Sequence, residues 1–163
     1  MTTPNPRGPE SAGVSLPLAL VLATIGFFAL AVFGLGAVSV VTDADIISVP
    51  GLGQAPGVVG MIVALLAFAV MLWSALRGPR PSYVSAAAIA LVSALAHLIA
   101  VWMAVLIATG GFITATAVAG DLVRGGASAV LLLAAAIAGW AGVALRRTRS
   151  RRPQWPWERE DEE

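Results

Sequence analysis

Apolar residues run along the chain in four long blocks separated by short stretches rich in Pro, Gly and charge. A helix needs about 20 mostly apolar residues to cross a hydrocarbon core of roughly 30 Å. Leu16 to Val41, Gly57 to Leu76, Val84 to Ile107 and Leu122 to Leu145 all meet that length. The first three carry no formal charge, and the fourth carries Arg124 in its first turn, from which a long side chain reaches the headgroups. The pattern predicts an all-α membrane protein of four transmembrane helices in an up-down-up-down bundle.

The intervening stretches read as connections. "TDADIISVPGLGQAP" combines two Asp with Pro and Gly breakers and predicts a loop or ordered turn outside the bilayer, and "RGPRP" predicts a tight turn. "TGGFITATAVAGD", Thr109 to Asp121, is apolar enough to lie in the interface as an extra helical turn. Asp121 then reads as an N-cap for the fourth helix, with Arg124 three residues on for a local ion pair.

Within the spans, small residues recur on one side. In the third, Ala86, Ala90, Ser93, Ala94, His97, Ala100 and Ala104 share a face, while Leu91, Leu95, Ile99, Trp102 and Leu106 lie opposite. Helices in lipid gain little by hydrophobicity against each other and pack through small residues, so the small face is expected to meet other helices and the large face lipid. The second span has Gly60, Ala64, Ala67, Met71 and Ser74; the fourth has Ser128, Ala135, Ala138, Gly139 and Gly142; the first has Ala19, Ala23 and Gly26 before Phe33 interrupts.

Composition supports the same class. The 163-residue chain is 58 % hydrophobic and 12 % charged, where soluble domains have about 25 % charged residues. It has no cysteine, which excludes disulfides, thiolate metal sites and thiol redox chemistry. Arg7, Arg77, Arg80 and the cluster Arg146, Arg147, Arg149, Arg151 and Arg152 fall on one side of the predicted bundle; Arg124, Asp43, Asp45 and Asp121 fall on the other. By the positive-inside rule both termini are expected in the cytoplasm of a plasma-membrane protein. Trp73, Tyr83 and Trp140 fall near the inner interface and Trp102 toward the outer one. "AVS" at Ala37 to Ser39 resembles a signal-peptide cleavage site, but the apolar run is longer than the 7 to 15 residues or so of an h-region, so the first span is expected to be retained. No basic and aromatic surface is interleaved as nucleic-acid binding requires.

Chemistry-bearing residues are few. His97, the only histidine, lies on the interhelical face of the third span, and an ionisable group there is a functional-site hypothesis that needs a partner. Two readings stand: a neutral histidine whose ring N–H bonds the Ser93 hydroxyl or a backbone carbonyl, and a contact with a partner subunit. Metal or haem ligation lacks further ligands at that depth, and no catalytic, cofactor or metal set is assembled from the spans. Asp43 and Asp45 are too few for a calcium loop. The tail, "RRTRSRRPQWPWEREDEE", sets five Arg before Trp155 and Trp157 and then an acidic end. Its Arg are placed for anionic lipid headgroups, and its Pro and Trp for a docking partner; residues 1 to 15 read as a disordered tail.

With four spans, Arg as its only basic residue and short polar tails, the chain resembles the small four-span membrane proteins of actinobacteria whose function is mostly unknown. That resemblance implies no catalytic residues. The function expected is a non-enzymatic accessory or scaffold subunit that packs against other membrane proteins or its own copies. The alternative is a small homo-oligomeric transporter or channel, against which stand the apolar spans and the lack of any Pro-broken helix.

Overall fold

The computed structural model describes residues 14–43, 53–78 and 82–147. They form five helices: α1 (Leu16–Thr42), α2 (Ala55–Arg77), α3 (Val84–Thr109), α4 (Phe112–Arg124) and α5 (Ala127–Arg147). Of these, α1, α2, α3 and α5 are long and apolar enough to cross a membrane. The all-helical, four-span bundle read from the sequence is therefore the observed architecture. Expectations placed on residues 1–13, on Asp45 and on Arg149, Arg151, Arg152, Trp155 and Trp157 lie outside the described residues.

Local chemistry sets the helix ends. α1 starts behind Ser15, whose carbonyl accepts the Ala19 N–H at 2.9 Å, and Pro17 occupies its first turn, where a missing N–H costs nothing. α2 stops at Gly78, held extended as a residue before proline tends to be. α3 ends where Gly110 turns left-handed at φ 64° and its N–H caps the Leu106 carbonyl at 2.8 Å.

The fourth crossing differs from its expectation. The segment after α3 forms a full 13-residue helix, α4, which buries Ala115, Val118 and Leu122 at helical spacing. It ends at Gly125 and Gly126, the latter at φ 84°, and α5 starts only at Ala127 rather than Leu122. Asp121 is thus not an N-cap: it lies in the last turn of α4, where its carbonyl accepts the Gly125 N–H at 2.7 Å. Arg124 closes α4 instead of opening the span, and no ion pair joins it to Asp121 among the described residues.

Neighbouring spans run antiparallel, because residues early in one meet residues late in the next. A side-chain carbon at Gly34 of α1 would lie 2.5 Å from Val130 Cγ1 of α5, while one at Gly142 would lie 3.0 Å from Ala23 Cβ near the opposite ends of the same pair. Gly139 of α5 meets Ala86 of α3 at 3.7 Å, and Gly60 of α2 meets Val101 and His97 of α3. Round the bundle the order is α1, α2, α3, α5; α4 lies on α3 and α5.

Buried positions recur every fourth residue: Ala19, Ala23, Phe27 and Ala31 in α1; Pro56, Gly60, Ala64, Phe68, Leu72 and Leu76 in α2. These rows are the i±4 ridges that interlock in close helix pairs. Most of the expected small faces are the buried ones, including Ala86, Ala90, Ser93, Ala94 and His97 of α3 and Ala135, Ala138, Gly139 and Gly142 of α5. Leu91, Leu95 and Ile99 face outward as expected. Trp102 and Leu106 do not, because α4 covers them: the Trp102 indole meets Phe112 edge-on at 5.6 Å and donates to Thr116 Oγ1 at 3.3 Å.

Candidate functional site around His97 and the arginine end

His97 sits at the α2–α3 contact with 5 % of its surface exposed. Gly60 opposite has no side chain, and the ring fills that space: a carbon placed on Gly60 would lie 3.0 Å from both Cδ2 and Nε2. The other edge of the ring is unpaired, since Nδ1 is buried without a hydrogen-bond partner among the described residues.

The expected bond from the His97 ring N–H to the Ser93 hydroxyl is not made among the described residues. The Ser93 hydroxyl, also buried, donates to the Ile89 carbonyl at 2.7 Å, four residues back in its own helix, as a helical serine does. Ser128 Oγ, at the start of α5, is a buried hydroxyl without a partner among the described residues. Among the described residues no three His, Cys, Asp or Glu side chains gather as a metal site would require.

The opposite chemistry gathers where α2 and α5 end and α1 and α3 begin. Arg77 lies over the Trp73 ring at 4.5 Å. Arg147 lies over the Tyr83 ring at 4.7 Å, and Tyr83 in turn stacks on Trp140 at 5.9 Å between centroids. Arg146 donates through Nη1 to the Val14 carbonyl at 3.2 Å, leaving its Nε buried without a partner. Both described carboxylates, Asp43 and Asp121, stand near the other end, at the close of α1 and of α4.

The sequence pointed to Arg146 and Arg147 as surface groups but not to the rings that hold them. Tyr83 and Trp140 are 57 positions apart, so no local spacing could pair them. The Gly60 cradle and the α4–α5 break were missed as well. For the break a signal existed, because a Gly-Gly pair marks a turn, and it falls inside the bounds read for the fourth span. No protein-family model, curated protein or solved structure matches the chain.

Proposed function

We propose that this chain is a multi-pass plasma-membrane protein with both termini in the cytoplasm, serving without catalysis as an accessory or scaffold subunit that packs against other membrane helices. The orientation draws on Arg77, Arg146 and Arg147 at one end and Asp43 and Asp121 near the other. The observation that carries the role is the outward face of α1. Beside its buried row, Gly26, Ala29, Phe33 and Gly36 form a second row, so Gly26, expected on the packing face with Ala19 and Ala23, lies off it; nothing lies within 4 Å of a side-chain carbon at Gly26 or Gly36, and Phe33 stands 78 % exposed between them. Small residues flanking a large one offer another helix both a groove and a knob.

The absence of cysteine makes the test clean. A photo-cross-linker attached to a single cysteine at Ala29 or Gly36 is expected to capture a protein neighbour in native membranes. The same probe at Val70, an outward position on α2, is expected to capture lipid. Equal protein capture from all three positions, or none from α1, would remove the reading.

A second reading, a small homo-oligomeric transporter or channel, is favoured by one observation: a short helix, α4, meets the head of the fourth span at a joint of Gly125 and Gly126. Discontinuous helices recur where transporters bind their solutes. Disturbing the joint with Gly126→Ala, which strains φ 84°, is expected to abolish solute flux in reconstituted vesicles if this reading holds, and to leave the α1 cross-links unchanged.

A further inference from the structure

Among the described residues the buried polar side chains are Ser93 and His97, both on α3. Ser93 is served by the Ile89 carbonyl. His97 is not: its Nδ1 has no partner, and on α5 the buried Ser128 Oγ is in the same condition. A polar atom that leaves water and bonds to nothing is costly, so a third group is expected to serve both.

Two observations bring these atoms to one level between α3 and α5. A side-chain carbon at Gly139 of α5 would lie 3.7 Å from Ala86 of α3. His97 comes 11 residues after Ala86, and Ser128 comes 11 residues before Gly139. The helices are antiparallel, so both counts run the same way along the bundle, and three turns return each residue to the face it started from. The apolar core also divides at that level. Ile89 and Ala90 share one cluster with Leu131 and Ala134 of α5. Val101 and Val105 share another with Ala127. His97 and Ser128 each fall in the gap between the two clusters. The ring is turned accordingly: Cδ2 and Nε2 lie toward Gly60 of α2, and Nδ1 is the atom opposite that edge. α3 is flanked by α2 and α5, so Nδ1 is on the side away from α2.

The two atoms do not bond directly, and what joins them has to suit its surroundings. No charged side chain is buried among the described residues, so the ligand is neutral. An imidazole nitrogen donates or accepts according to tautomer and a hydroxyl does both, so the ligand does both as well. The clusters on either side are apolar and offer no further partner to a larger molecule. Water meets all three conditions, and two polar partners are enough to hold it.

We propose that one buried water bridges His97 Nδ1 and Ser128 Oγ and so ties the head of α5 to α3. Ser128 stands two residues past Gly126, and the bridge fixes α5 immediately after the glycine joint.

The full chain in mild detergent, isotope-labelled at its single histidine, tests this by magnetic resonance. Magnetisation would be passed from water to the carbon-bound ring proton beside Nδ1, which does not itself exchange with solvent. A water cross-peak is expected in the unaltered chain. Ser128→Ala is expected to abolish it and to shift the Nδ1 signal, while Ser128→Thr, which keeps the hydroxyl, retains both. Ser93→Ala is expected to leave the cross-peak in place, because that hydroxyl is committed to Ile89. Absence of the cross-peak from the unaltered chain overturns the proposal. Its survival in Ser128→Ala does so too, as does equal loss in Ser93→Ala and Ser128→Ala.

Discussion

Replacing Phe68 with alanine is expected to cost the folded bundle about 2 kcal/mol. Phe68 and Phe27 are both fully buried, and their rings stack at 4.7 Å with 24° between planes where α1 meets α2. In a water-soluble core the same truncation costs roughly 3 to 5 kcal/mol, part of which is transfer from water. Here the separated helices stay in lipid, so that part is absent. The cavity and the lost dispersion contacts remain, because the rings are the largest side chains in a core otherwise built from Ala, Leu, Ile and Val. Reversible unfolding in mixed micelles of rising dodecyl sulfate content would measure the loss. Phe68→Leu is expected to restore about half of it. A cost under about 0.5 kcal/mol, the scatter of neutral substitutions, would mean that the ring pair does not hold α1 to α2.

A comparable loss is expected from adding volume at the α2–α3 contact. Gly60→Val would place its Cβ 2.5 Å from Val101 Cγ2 and 3.0 Å from the His97 ring. Val101 is fully buried and His97 nearly so, so neither can swing clear. Overpacking of this kind costs about 2 kcal/mol, and the helices must part to accept it. Gly26→Ala is the matched control, since its added carbon meets nothing within 4 Å, and it should be neutral in the isolated protein. The two changes separate a glycine that lets helices touch from one that faces outward. His97 supplies a second readout: as the only histidine, it gives one imidazole signal in a magnetic-resonance spectrum. That signal should move in Gly60→Val and stay still in Gly26→Ala. Equal stability of both variants would show that α2 and α3 do not approach through Gly60.

The span positions were legible because length and apolarity are the whole requirement for crossing a bilayer. α1 and α3 begin at Leu16 and Val84 as read, and α2 begins two residues earlier than read, where Pro56 fits a first turn. The small faces were legible for the same reason that they work: only small side chains let backbones close. Phe27 and Phe68 were not, since a row of Ala and Gly does not say that one large ring from each helix fills the space between them. The structure starts the fourth span five residues later than Leu122, because Arg124 and the Gly pair close α4 and do not open α5. A lone Arg reads equally as either end of a helix at the interface; backbone conformation decides which. At His97 the buried face was legible and the partner was not, because which way a ring turns from its helix depends on the space that Gly60 of α2 leaves for it. The arginine end was visible as charge, while its ring contacts join residues far apart in the chain.

The position of α4 sets how the chain passes from its third span to its fourth. Leaving α3 it turns at Gly110, runs thirteen residues packed on α3, and turns again at Gly126 before α5 begins. Both turns are left-handed, a conformation that glycine adopts without strain. The one helix too short to cross is thus bounded at each end by a residue that a side chain would disturb.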